Sequence, residues 1–180
     1  SYKDSLKILK ETNALIDGHF VLSSGLHSAQ YIQCAQLLSK PSKAEAFCLS
    51  LAKKITKEFT EIDLILSPAM GGVVIGYEIG RLLKKETIFS ERVDNKFQLR
   101  RGFKIKKNTK VLVLEDVITT GKSSLECSEL IKVANANLLG FACLIDRSNG
   151  SSQLNKKIIS QVQINIPTYK ENELPENLKS

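Results

Sequence analysis

Apolar positions change period along the chain, and each change marks an element. Leu6, Leu9 and Leu15-Ile16 predict an N-terminal helix, and Phe20 to Ile32 predicts extended chain broken at Ser23-Ser24-Gly25. Phe47, Cys48, Leu51, Ile55 and Phe59 then recur at helical spacing, behind a Ser42/Glu45 pair that reads as a capping box. Strands are predicted over Ile62–Leu66 and Thr87–Ser90, with a helix from Gly72 to Leu83 between them. Val111-Leu-Val-Leu114 is apolar throughout, as in a strand covered on both faces. Ser123 and Glu126 form a second S-x-x-E box, predicting a helix to about Ala136, before a strand over Leu138–Ile145 and an alternating segment, Gln161–Ile166. Strand and helix alternate almost throughout, which predicts an α/β domain with a mainly parallel sheet flanked by helices.

Ligands of such sheets bind beyond the C-terminal ends of the strands, so three segments are expected to converge: Ser67–Gly72, Glu115–Ser123 and Asp146-Arg147. The second is the most informative. The amides of Thr119 to Lys122 open a helix and suit a phosphate, and two threonine hydroxyls add to the attraction. Glu115 and Asp116, one step earlier, would repel that phosphate, so a polyhydroxylated group or a cation must separate them. A ribose 5-phosphate meets both conditions, its hydroxyls donating to carboxylates and its phosphate accepting from amides. Gly121-Lys122-Ser123 also suggests a P-loop, but that motif requires glycine where Asp116 stands.

Composition narrows the class. The chain has 180 residues, 42% of them hydrophobic, enough for one sizeable core, and no linker or repeat divides it. No apolar run is long enough to cross a bilayer, and the amino end lacks a secretory pattern, so a cytoplasmic protein without a membrane partner is expected. Cys34, Cys48, Cys127 and Cys143 are widely spaced and read as buried small residues. The net charge of +7 is concentrated: residues 81–110 hold eleven Lys or Arg against three acids. Phe97, Leu99, Phe103 and Ile105 share one parity there, which predicts a β-hairpin turning near Arg100-Arg101-Gly102 and serving as a cationic lid over an anionic ligand. A nucleic-acid surface is the other use of such charge.

The run of apolar strand, two acids, Thr-Thr-Gly and Lys-Ser resembles the phosphoribosyl pyrophosphate signature of the type I phosphoribosyltransferases. The stretch Phe20-Val-Leu-Ser-Ser24-Gly25, followed by Ser28 and Tyr31-Ile32, resembles the amino-terminal motif of the orotate phosphoribosyltransferases. The resemblance implies a type I phosphoribosyltransferase fold in one domain, 1–180, with a hood from about residues 1–40 and a mobile lid at about 91–107. It implies transfer of ribose 5-phosphate to N1 of orotate, in pyrimidine biosynthesis. Phosphoribosyl pyrophosphate would be bound by Glu115, Asp116, Val117, Ile118, Thr119, Thr120, Gly121, Lys122 and Ser123, by Met70 and Gly71 of the preceding loop, and by Arg92 and Lys96 of the lid. Catalysis would rest on Lys96, Arg92 and Asp116. Orotate would meet Thr119, Arg147, Ser24, Gly25, Tyr31 and Ile32. Mg²⁺ is implied as cofactor, held mainly by the substrate, as is a homodimer with shared sites and no nucleic-acid partner. The Ala69-Met70 peptide matches the family's strained or cis bond. The chain departs from the family pattern at Ser23, at Met70-Gly71 and in the lid, where a K-x-H-G element is missing and Arg100 or Arg101 could take the place of Lys96. A transferase for another base and a nucleic-acid-binding regulator on the same fold are the alternatives.

Overall fold

The computed structural model describes residues 1–22 and 24–179; Ser23 lies outside them. Helix α1 (Tyr2–Glu11) leads into the antiparallel strands β1 (Leu15–Val21) and β2 (His27–Ile32). Helices α2 (Cys34–Leu38) and α3 (Pro41–Glu58) follow, then β3 (Leu64–Pro68), α4 (Gly71–Leu83), β4 (Glu86–Val93) and β5 (Lys96–Leu99). The second half runs β6 (Lys110–Ile118), α5 (Lys122–Val133), β7 (Asn137–Asp146), β8 (Ile158–Gln163) and the short β9 (Thr168–Tyr169). The main sheet has the order β5-β4-β3-β6-β7-β8, parallel except for β5. β1, β2 and β9 form a separate three-stranded sheet, the hood.

The central strand explains the two-sided core. Along β6, Leu112 and Leu114 face a cluster built with α3 and α4, whereas Val111 and Val113 face a second cluster with α5 and Phe97. All four are fully buried, as the unbroken apolar run required. The small strands, with exposed residues on one face, form the separate sheet.

Several boundaries differ from the sequence reading. Leu15-Ile16 begins β1 instead of extending α1, because the chain turns at Asn13, which has a φ of 58°. Neither S-x-x-E box caps its helix. Pro41 starts α3 as its first residue, placing Ser42 inside, while Glu45 pairs with Arg81. Gly121, not Ser123, is the N-cap of α5, and Glu126 pairs with Arg92 at 2.8 Å. The lid hairpin turns at Asp94-Asn95, with Val93 opposite Lys96. Both turn residues have positive φ, the conformation a two-residue hairpin turn demands. Arg100 to Phe103 forms a second turn, closed by the Phe103 amide donating to the Arg100 carbonyl at 2.9 Å. The shared parity survives as burial of Phe97 and Ile105, although only residues 96–99 are strand. The last alternating segment leaves the sheet at Gln163, yet Val162, Ile164 and Ile166 all remain buried.

Candidate active site

The three predicted segments do meet at the C-terminal edge of the sheet. β6 continues three residues beyond Glu115, with Ile118 opposite Asp146 on β7, so the two acids lie within the strand and the turn is confined to Thr119–Gly121. The start of α4 abuts Asp116 so closely that a Cβ on Gly71 would stand 2.8 Å from both carboxylate oxygens. The Ala69-Met70 peptide is cis, and the Ala69 amide donates to the Ser90 carbonyl at 2.8 Å, tying the loop to β4. From the other side the Cys34 thiol donates toward the Asp116 carbonyl at 4.0 Å.

The turn itself encloses a cavity of about 80 Å³, bounded by Glu115 and by residues 117–124. That is room for a group on the order of two to three waters in size, given about 30 Å³ for each in the liquid. Among the described residues, the amides of Thr119, Thr120 and Gly121 donate no hydrogen bond within the protein. The Lys122 amide differs, donating to the Thr120 hydroxyl at 3.3 Å. Three unpaired amides at the start of a twelve-residue helix are the donors an anion needs.

A strap after β7 holds this cradle, and sequence patterning did not reveal it. The Arg147 amide donates to the Ile118 carbonyl at 2.8 Å, and the Gln153 amide donates to the Thr120 carbonyl at 2.9 Å. Leu154 presses against Gly121, where a Cβ would stand 2.7 Å from Leu154 Cγ. Gly121 has a φ of 81°, so glycine is required there for backbone and for space alike. Ser148 donates its amide to Asp146 Oδ1 at 2.8 Å, fixing the start of the strap.

The electrostatics of the acids are unequal. Glu115 is 8% exposed, and burial, followed by the adjacent Asp116 charge, pushes its pKa up to about 9. It is therefore protonated at neutral pH in the free protein and able to donate as well as accept. Asp116 Oδ1 accepts from the Val117 amide at 2.8 Å. Burial lowers the pKa of Arg147, whose Nε is buried without a partner. A cation in that position is satisfied by an incoming carboxylate.

The remaining candidates divide. Tyr31 stacks beside Phe20 at a centroid distance of 5.6 Å with its ring partly exposed, but Ile32 lies in the first core, because adjacent strand residues face opposite ways. Of that pair only Tyr31 can be presented to a ligand. Ser24 and Gly25 form the exposed β1–β2 turn, and among the described residues no hydrogen bond links them to the cradle. In the hairpin, Arg92 is held by Glu126, by the Asn95 carbonyl and by the Phe97 ring at 4.2 Å. Arg101 is tied bidentately to Glu91 at 2.8 and 2.9 Å. Lys96 and Arg100 are exposed and, among the described residues, unpaired. No group of three or more His, Cys, Asp or Glu is placed to hold a metal among the described residues.

Residues 35–178 match the phosphoribosyl transferase domain family. A protein of Erythrobacter litoralis named orotate phosphoribosyltransferase is 45% identical over 177 residues, 98% of this chain and 92% of its own length. The chain belongs to the orotate phosphoribosyltransferase family. A second relative with that name, from Sphingopyxis alaskensis, is 47% identical over 94% of this chain and 87% of its own. The crystal structure of orotate phosphoribosyltransferase from Aeropyrum pernix superimposes with a TM-score of 0.77 at 25% identity, covering 88% of this chain and 92% of that one. The fold is thus the type I phosphoribosyltransferase fold. No helix among the described residues is long and apolar enough to cross a membrane.

Proposed function

We propose that this protein transfers ribose 5-phosphate from phosphoribosyl pyrophosphate to N1 of orotate, giving orotidine 5-phosphate and pyrophosphate in pyrimidine biosynthesis. The observation that carries the reading is the cradle of unpaired amides at Thr119–Gly121 directly after Glu115 and Asp116, with the half-buried Arg147 on the adjoining strand end. The amides receive the 5-phosphate, the acids hold the ribose hydroxyls, and the Arg147 guanidinium receives the orotate carboxylate. As the bond from C1 to pyrophosphate breaks, the ribose becomes cationic and the leaving group anionic. No protein nucleophile is needed, and positioning with fixed charge supplies the acceleration.

Mg²⁺ fits the donor set. Asp116 would offer it a carboxylate oxygen, and Mg²⁺, which keeps several waters, would take most of its other ligands from pyrophosphate and water. When bound, it neutralises charge on the leaving group. Lid residues 91–107 bring further cations. Because Arg92 and Arg101 are already ion-paired, Lys96 and Arg100, the exposed cations of the hairpin and its following turn without an ion pair among the described residues, are the side chains offered to pyrophosphate. The active form is a homodimer: Met70 (84% exposed) at the N-cap of α4, with Val74 (53%) and Tyr77 (71%) along the helix, forms an apolar stripe beside a 370 Å³ groove, the kind of face that a second copy covers. Four buried free thiols suit a reducing cytoplasm. The basic hairpin serves the substrate and not a nucleic acid, part of its charge being held already in local ion pairs.

The test is loss of orotate absorbance on mixing the protein with phosphoribosyl pyrophosphate and Mg²⁺, with a metal-free control and with adenine and uracil as alternative acceptors. Metal-dependent loss with release of pyrophosphate is expected, and Asp116→Asn should abolish most of it while leaving the melting temperature nearly unchanged. Turnover of another base and not orotate would overturn the acceptor assignment.

A further inference from the structure

The chain has two histidines, and the hood brings them together. His19 on β1 and His27 on β2 face each other with Nε2 of the first 2.7 Å from Nδ1 of the second, ring centroids 5.0 Å apart. Their approach is set by the backbone. The β1–β2 register shifts between Asp17 and Phe20, so the irregularity at Gly18-His19 carries one ring over the strand that bears the other. His19 is exposed and His27 half-exposed, with open solvent beside them, and none of the residues bounding the phosphate cradle takes part.

We propose that this pair is a binding site for a divalent transition ion of the copper(II) or nickel(II) class, distinct from the Mg²⁺ that accompanies the substrate. Imidazole nitrogens are ligands for these ions, and here two of them meet from adjacent strands, close enough for one ion to replace the hydrogen bond between them. Bond lengths of about 2.0–2.1 Å place two cis nitrogens roughly 2.9 Å apart around a square-planar ion and roughly 3.4 Å apart around a tetrahedral one. The observed 2.7 Å is close to the first spacing, but the 5.0 Å between centroids sets the rings head-on, so each must swing by roughly 45° to face a shared ion, a motion that their solvent exposure leaves open. A tetrahedral zinc site would require the pair to open substantially further. On binding, whichever ring donates in the present contact transfers that proton through solvent to its outer nitrogen, Nδ1 of His19 or Nε2 of His27. Both facing nitrogens then present lone pairs, and water completes the coordination. The ion would staple β1 to β2 at the open end of the hood, beside the Ser24-Gly25 turn, since Val21 opposite His27 is the last pair of the ladder.

The experiment is titration of the full-length, metal-free protein with copper(II), nickel(II) and Mg²⁺ separately, by calorimetry and, for copper, by electron paramagnetic resonance. The parent should bind one equivalent of copper(II), with nickel(II) weaker and no heat from Mg²⁺ at this site. Each of His19→Gln and His27→Gln should weaken copper binding by about tenfold or more, as expected when a chelate loses one arm, and reduce the nitrogen coupling from two donors to one. Circular dichroism melts on both variants confirm that they fold. Copper affinity unchanged in either single variant, or no stoichiometric uptake by the parent, would overturn the proposal. A signal retained by the His19→Gln/His27→Gln double variant would place the ion at other ligands and overturn it equally.

Discussion

Gly121 is where the cradle is most sharply constrained, and replacing it with alanine separates two costs. The first is conformational: with a φ of 81°, an alanine is held in the left-handed region, at about 1–2 kcal/mol. The second is steric: the new Cβ would stand 2.7 Å from Leu154 Cγ and 3.1 Å from both Leu154 methyls. Overpacking of that kind costs about 1–3 kcal/mol. Gly121→Ala should therefore destabilise the fold by about 2–5 kcal/mol, a large fraction of the net stability of a domain this size. Only the steric part depends on Leu154. The double variant Gly121→Ala/Leu154→Ala should thus be more stable than the sum of the singles by about 1–3 kcal/mol, the overpacking cost relieved, which lies within the range for residues in direct contact. Urea unfolding of the four proteins measures this coupling. Because the amides that would receive phosphate belong to the same turn, the Michaelis constant for phosphoribosyl pyrophosphate should rise in Gly121→Ala. Additivity within about 0.5 kcal/mol would remove Leu154 as the wall of the cradle. A cost for Gly121→Ala below about 1 kcal/mol would refute the backbone argument.

Glu115 gives a pH signature. Its folded pKa, about 9 against 4.5 for an ordinary glutamate carboxyl, means that between those values the native state holds a proton the unfolded chain has lost, so its contribution to stability is greatest below pH 4.5 and declines as pH rises toward 9. Glu115→Gln, which cannot ionise, should gain stability relative to the parent across that interval in paired thermal melts; parallel curves would exclude a buried, protonated Glu115. In the hairpin, Arg100→Ala should lower turnover at least tenfold with the melting temperature unchanged. Arg101→Ala should lower it much less, and the loss of its exposed pair with Glu91 should cost under about 1 kcal/mol; steady-state kinetics with equal losses would reverse the assignment. Tyr77→Lys, placing charge in the exposed stripe on α4, should shift the protein to monomer in sedimentation velocity, and an unchanged dimer would place the interface on another face.

Local pattern and chemistry made most of the cradle legible. The unbroken Val111–Leu114 run specified a strand covered on both faces, and Thr119-Thr120-Gly121 after two acids specified an anion site beside a hydroxyl site, because spacing along one strand and turn is set by the chain itself. Helix starts were misread for an equally local reason. Ser123 and Ser42 are competent caps, but Gly121 in the left-handed conformation and Pro41 at the first helical position begin the helices earlier, leaving Glu126 and Glu45 for arginines distant in sequence. What only the tertiary structure decided involves partners far apart along the chain. Gly71 against Asp116, Leu154 over Gly121, and Arg92 held by Glu126 each join segments whose approach depends on how the sheet is ordered. Alternation assigned Tyr31 and Ile32 to opposite faces without saying which face was outward, and packing against α3 and the main sheet settled that Ile32 is inside. The proton on Glu115 has the same origin. The sequence shows two adjacent acids, but only burial beside Asp116 makes one of them an acid at neutral pH.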